Sequence, residues 1–226
     1  MPEVRKMDDG KNGGRDPYSN VTPFYDIITG PLNKKVQEAT FRRVSQKLSP
    51  NSGSRILEVA CGTGSQAVML AQDGYEVYAL DRSPGMIKKC RDKSHKQALP
   101  NIIPILGDAE RLPFPDSSFH GIIMQLALHE LDASRRDGAM RELNRVACDS
   151  TIYFFVDFAP RKRFSLAKPV LALTERCMGW EHYSNGREFV RNGGLTAFVE
   201  RHDLKIVESV SFLQGLVLLV VASRMG

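Results

Sequence analysis

Residues 55–64 read RILEVACGTG, a short apolar run that breaks into a glycine turn. Residues 55–60 have the length and β-branched content of a buried strand, and Cys61-Gly62-Thr63-Gly64 cannot continue it. Residues 65–73 then read as a helix that Gly74 stops. A strand running through glycines into a helix brings backbone close to a ligand and presents free N–H groups to its oxygens.

The same alternation continues outward. Residues 75–80 are a second strand that runs into Asp81, and Ser83-Pro84 opens a helix to about residue 97. Strands follow at 102–106 and 119–126, a helix at 132–146 and a fully apolar strand at 151–158. Near-continuous apolar strands separated by helices predict a parallel sheet covered on both faces, and right-handed crossovers make it doubly wound. Upstream, Leu32, Val36, Ala39, Val44 and Leu48 recur at helical spacing, which predicts a helix over 31–48 with Pro31 in its first turn. Downstream, 185–202 reads as helical with a break at Gly193-Gly194. Residues 205–213 and 216–223 are strands separated by Gln214-Gly215. Strands that close pair antiparallel. The expected fold is therefore α/β: a doubly wound, mostly parallel, seven-stranded Rossmann-like sheet ending in an antiparallel C-terminal hairpin.

Composition narrows the function classes. Hydrophobic residues are 42% and charged residues 25% of the 226, with a net charge of +5, as in ordinary soluble domains. Residues 1–16 mix charges of both signs with glycine and are expected to be a disordered tail. A single domain is expected over 17–226, with residues 17–50 as an N-terminal lid and 160–184 as a substrate-covering insertion. Tyr18, Phe24 and Tyr25 would give the lid an aromatic face. Arg161, Lys162, Arg163 and Lys168 form a basic cluster beside helically spaced apolar residues. The cluster fits a solvated loop, or a peripheral membrane or anionic-substrate contact. The longest apolar run, 216–222, is far below the ~20 residues of a membrane helix. Cys61, Cys90, Cys148 and Cys177 form no CxxC pair and the histidines lack ligand spacing, so no metal site is expected, and a cytoplasmic location is. No basic stripe interleaved with aromatics suggests nucleic acid.

The chemistry concentrates at the first turn. Asp81, 17 residues past Gly64, can accept hydrogen bonds from both hydroxyls of a ribose. Gly62-x-Gly64-x-x-Ala67 also matches a dinucleotide pattern, which leaves a nicotinamide oxidoreductase open. Glu58 argues against it: a carboxylate inside the first strand suits an amino-acid ammonium and not a pyrophosphate. The C-terminal hairpin, and the little chain left for a substrate domain, argue the same way.

ILEVACGTG (56–64), LDRSPGMIKK (80–89) and GDAERLPFPDSSFHGI (107–122) resemble, in that order, three consecutive motifs of the class I S-adenosylmethionine-dependent methyltransferases. The nearest resemblance is to the ubiquinone/menaquinone-biosynthesis type and its small-molecule kin, over about residues 22–160. It implies S-adenosylmethionine as cofactor and a small molecule as methyl acceptor, quinol-like or another apolar ring compound. By position, Ala60, Gly62 and Gly64 would line the methionine and ribose, Asp81 would hold the ribose hydroxyls, and Arg82 and Met86 would border the adenine. Asp108 would reach the adenine amino group with Ala109 and Glu110 beside it, and Gln125 would lie near the methionine end. Ala60 departs from the pattern, standing where the family carries its first glycine. A non-catalytic cofactor-binding protein would carry the same motifs.

If the acceptor carries an acidic hydroxyl, a base should share its proton. His129 leaves the end of the fourth strand, where open α/β sheets place ligands, and histidine is the residue type suited to act as a base at cellular pH. Capping or packing of the following helix is its other use. His182 and Tyr183 can line an acceptor pocket or simply sit in a loop. The sequence does not fix the oligomeric state.

Overall fold

A computed structural model describes residues 25–50, 53–160 and 180–225, without the side chains of 25–32 and 180–183. The expected tail 1–16, Tyr18, Phe24, the basic cluster and its apolar neighbours lie outside these residues, as do the side chains of Tyr25, His182 and Tyr183. Helix α1 spans Tyr25–Lys47. Then come β1 (Arg55–Val59), α2 (Ser65–Gln72), β2 (Glu76–Asp81), α3 (Pro84–Lys96), β3 (Ile102–Leu106) and β4 (Phe119–Gln125). A single 3₁₀ turn, Leu128–Glu130, leads to α4 (Ala133–Val146) and β5 (Ala147–Phe158). Helices α5 (Trp180–Arg191) and α6 (Gly194–Arg201) precede β6 (Leu204–Phe212) and β7 (Val217–Arg224).

The seven strands form one sheet in the order β3-β2-β1-β4-β5-β7-β6. The first five run parallel, and β7 is antiparallel to both β5 and β6. The expected hairpin is therefore present, but its second strand, not its first, joins the parallel sheet. The sheet grows one way from β1 through β2 to β3 and the other way from β4 to β5. The gap between the ends of β1 and β4 is the switch point at which such sheets bind ligands.

Three boundaries differ by several residues from the sequence-based expectation, one of them the start of α5 at Trp180, five residues before the expected 185. Helix α1 starts six residues before Pro31, since proline fixes φ near the helical value and costs one N–H bond rather than the whole upstream turn. Strand β5 starts at Ala147, which pairs with Phe119 across a register shift. Asp149 and Ser150 within it are polar and exposed, so the apolar run that marks a buried strand starts only at Thr151.

The central strands carry the core. Ile56, Leu57, Val59, Ile122, Ile123, Met124, Phe154, Phe155 and Val156 are all buried, each worth about 1.5–3 kcal/mol against exposure. Tyr78, Phe114 and Phe119 meet edge to face with centroids 4.9–5.7 Å apart. Phe114 thereby pins the loop after β3, and Arg145 holds that loop through the carbonyls of Leu112 and Phe114. The loop carrying Asp108 to Glu110 is fixed to the scaffold at its far end.

Candidate active site

The C-terminal ends of β1, β2, β4 and β5 form one edge, and four groups of side chains gather there. At the glycine turn the backbone is left-handed three times, at Ala60 (φ 56°), Gly62 (φ 55°) and Gly64 (φ 77°). Gly64 also has no room for a side chain, because a Cβ would sit 2.4 Å from the Cys90 Sγ. Ala60 pays for its conformation: a left-handed non-glycine residue costs roughly 1–2 kcal/mol. Glycine there would return that, less about 0.5–1 kcal/mol of chain entropy. Ala60→Gly should thus raise the melting temperature slightly, by about 1–3 °C in scanning calorimetry; a fall would mean that Ala60 is not strained.

Asp81 stitches the turn to β2. Its Oδ2 accepts from the Gly62 N–H at 2.8 Å and its Oδ1 from the Ser83 N–H at 2.9 Å. Anchoring and ligand binding are compatible in one carboxylate, whose oxygens offer about four acceptor positions. Arg82 beside it is exposed and Met86, in the first turn of α3, is buried. Ser83 caps α3 by accepting from the Met86 N–H. Lys93 of α3 donates to the hydroxyls of Thr63 at 2.7 Å and Ser65 at 2.9 Å, holding the far side of the turn.

The loop after β3 uses its acids locally. Asp108 accepts from the Glu110 N–H at 3.1 Å, a turn-forming bond, and Glu110 pairs with Arg135. Ala109 is half-buried between them. Gly107 donates to the Asp81 carbonyl at 3.0 Å, so this loop abuts the end of β2.

The third group sits at the switch point. Glu58 on β1 is buried, and its Oε2 has no hydrogen-bond partner. Burial drives its carboxyl well above the usual carboxylate range, and the nearby Cys90 and Asp81 add to this, while the Ala67 N–H and Lys93 pull down. Gln66, in the first turn of α2, is buried as well; its Oε1 accepts from Gln125 at 3.1 Å, and its Nε2 has no partner. Unpaired buried polar atoms cost about 1–3 kcal/mol each. Glu58 thus carries an open acceptor and Gln66 an open donor.

His129 lies in the 3₁₀ turn after β4 and is buried. Its Nδ1 is 2.8 Å from the Oδ1 of Asp157, which is fully buried on β5. Asp157 also accepts backbone N–H groups: Phe158 on Oδ1 at 2.7 Å, Leu128 on Oδ2 at 2.9 Å and His129 itself at 3.3 Å. A carboxylate facing Nδ1 selects the tautomer with the proton there, which makes Nε2 the acceptor nitrogen. The Phe158 ring lies 4.3 Å from the imidazole. Helix α5 braces the turn: Asn185 donates to the Glu130 carbonyl at 2.9 Å. Arg136 donates to the Leu131 carbonyl at 2.7 Å and pairs with Glu188.

Asp157 and Gln66 were not singled out in the sequence. The only cue for Asp157 was a lone acid in an apolar strand, where burial demands a partner. The described residues contain no cluster of His, Cys, Asp and Glu able to hold a metal ion.

Comparison with known proteins agrees with this architecture. Residues 56–149 match the family described as Methyltransferase domain. Demethylmenaquinone methyltransferase of Renibacterium salmoninarum is 33% identical over 129 residues, 57% of this chain and 52% of that protein. The Listeria welshimeri protein of the same name is 30% identical over 132 residues, covering 57% and 55%. The chain thus spans about half the length of the curated relatives it matches. Among solved structures, a Pyrococcus horikoshii protein superposes with a TM-score of 0.67 at 19% identity, covering 94% of this chain and all of that one. A SAM-dependent methyltransferase from Aquifex aeolicus gives 0.54 at 19% identity, over 84% and 96%. Residues 56–149 are thus similar to a methyltransferase domain, and the fold as a whole is that of these solved structures.

Proposed function

We propose that this chain methylates a small hydroxylated ring compound of quinol type, with His129 as the base. The observation that carries the proposal is the buried His129–Asp157 pair, 2.8 Å apart, at the same sheet edge as the glycine turn. The likeness to proteins named demethylmenaquinone methyltransferase supports the quinol class. When bound, the cofactor supplies an electrophilic methyl on a sulfonium whose leaving group is a neutral thioether.

The chain's own residues do the rest. Asp81 takes the ribose hydroxyls while it holds the turn. Ala60, Gly62 and Gly64 let the backbone approach, and Arg82, Met86, Asp108, Ala109 and Glu110 border the adenine. Gln125 lies toward the methionine end. His129 Nε2 accepts the acceptor's hydroxyl proton as the oxygen or the conjugated ring carbon becomes the nucleophile. Asp157 stabilises the imidazolium that results, and the packed turn keeps water from the proton. Most of the rate comes from holding both partners in line, since the leaving group needs no help.

The acceptor reaches the edge as a small molecule, and the basic cluster Arg161, Lys162, Arg163 and Lys168 suits contact with an anionic membrane surface. No described helix is long and apolar enough to cross a membrane. The free thiols of Cys61, Cys90 and Cys148 suit a reducing, cytoplasmic setting.

Calorimetric titration tests the cofactor. S-adenosylmethionine and S-adenosylhomocysteine should both bind, and Asp81→Asn should weaken them by about ten- to hundredfold, the loss of hydrogen bonds to a charged acceptor. Binding of NAD alone would replace the proposal with an oxidoreductase. Cofactor binding without methyl transfer to any quinol, unchanged by His129→Ala, would leave a non-catalytic binding protein.

A further inference from the structure

The glycine turn is built against two thiols that the proposed reaction does not use. Cys61 stands in the turn itself, between the left-handed Ala60 and Gly62, and Cys90 comes from the middle of α3. Both are free and buried. The two thiols are hydrogen-bond partners. Cys90 also fills the space in front of the turn's last residue, where a Cβ on Gly64 would lie 2.4 Å from its Sγ. The turn closes over this contact through the Gly64 N–H, which donates to the Cys61 carbonyl at 3.0 Å. Helix and turn therefore already touch at both ends of Cys61-Gly62-Thr63-Gly64. Cys61, 7% exposed, is the side from which a small oxidant reaches the pair. Lys93, one turn along α3 from Cys90, favours a thiolate there.

We propose that Cys61 and Cys90 form an oxidation site at which a hydroperoxide closes a disulfide across the glycine turn. The sulfur that carries the charge attacks the O–O bond of hydrogen peroxide and becomes a sulfenic acid, releasing water. The other sulfur displaces that oxygen as a second water, and the S–S bond forms. Two thiols are oxidised, one peroxide is reduced, and the thiol protons leave in the waters.

An S–S bond is far shorter than any contact between two thiols, so closing it draws Cys61 toward α3. Gly64 has no room to follow, because Cys90 already stands where its side chain would be. The turn must change shape, and with it the Gly62 N–H that Asp81 holds at 2.8 Å. Resting on the cofactor assignment above, the oxidised turn binds the cofactor more weakly, and a thiol reductant restores it.

The test treats the protein with hydrogen peroxide, then unfolds, alkylates and maps it by mass spectrometry. S-adenosylhomocysteine is titrated calorimetrically before treatment, after it, and after addition of dithiothreitol. The expected result is a peptide cross-link between Cys61 and Cys90. Affinity should fall about ten- to hundredfold, the worth of a hydrogen bond to a charged group. Dithiothreitol should reverse both. Cys90→Ala should bind S-adenosylhomocysteine like the reduced wild type and keep that affinity after peroxide; Cys90→Ser takes its place if the alanine variant does not fold. The inference falls if Cys61 and Cys90 stay open to alkylation in the unfolded, treated protein while Cys148 or Cys177 is oxidised. It falls as well if the cross-link forms and affinity holds, or if treated Cys90→Ala loses affinity as the wild type does. Failure of the reduced wild type to bind S-adenosylhomocysteine overturns the cofactor assignment instead, and the peptide map then decides the thiol pair by itself.

Discussion

Asp157→Asn should lower methyl transfer to a quinol acceptor by about 10²–10⁴-fold while S-adenosylhomocysteine still binds. Asparagine keeps the shape and one acceptor oxygen but turns the other into a donor. In one orientation its NH₂ faces the N–H groups of Leu128 and His129; in the other it faces Phe158 N–H and the imidazole. Either way at least one backbone donor loses its partner, which costs about 1–3 kcal/mol of stability. The second consequence is catalytic. An amide cannot stabilise an imidazolium as a carboxylate does, and with its NH₂ toward the ring it favours the tautomer with the proton on Nε2. Single-turnover rates at saturating cofactor isolate this step from binding. His129→Ala should fall by a similar factor, and the double variant by little more than either alone, because the two residues act as one unit. A rate within threefold of wild type in Asp157→Asn, with the protein folded, would leave the pair a purely structural bond.

The sequence made the scaffold legible for a simple reason. Buried parallel strands are short apolar runs, and RILEV, EVYAL and IYFFV announce themselves without reference to anything distant. The glycine turn is equally local. Side-chain partnerships are not. His129 could be placed at the sheet edge from its position after β4, but its partner lies 28 residues on, inside a strand whose pattern reads as pure core. Gln66 looked like any polar residue in a first helical turn until the fold brought Gln125 against it from 59 residues away. Asp108 and Glu110 illustrate the reverse. Their motif points to a ligand, while the structure has them closing a turn and pairing with Arg135 from α4.

Gly194→Ala should be the most damaging of the small substitutions, lowering stability by about 3–5 kcal/mol. Asn192 and Gly193 separate α5 from α6, and both Gly193 and Gly194, the first residue of α6, are left-handed, with Gly194 at φ 58°. An alanine there would pay roughly 1–2 kcal/mol for the conformation alone. The larger cost is contact. Its Cβ would lie 2.6 Å from the Phe158 carbonyl oxygen, 2.8 Å from the Ala159 carbonyl carbon and 2.9 Å from the Pro160 nitrogen. These are backbone atoms at the end of β5, so no side chain can swing aside, and Ala159 is tied down by its own N–H bond to the Leu216 carbonyl at 2.8 Å. Relief must come from moving α6, whose Leu195, Phe198 and Val199 are buried against the sheet, or from moving residues 158–160. For a chain of this size, thermal unfolding should shift down by about 6–20 °C. Because Phe158 follows Asp157 and flanks the His129 ring, the same strain reaches the site, so the surviving folded fraction should also turn over more slowly at saturating substrate. A melting temperature within about 2 °C of wild type would mean that the approach of α6 to β5 is looser than described.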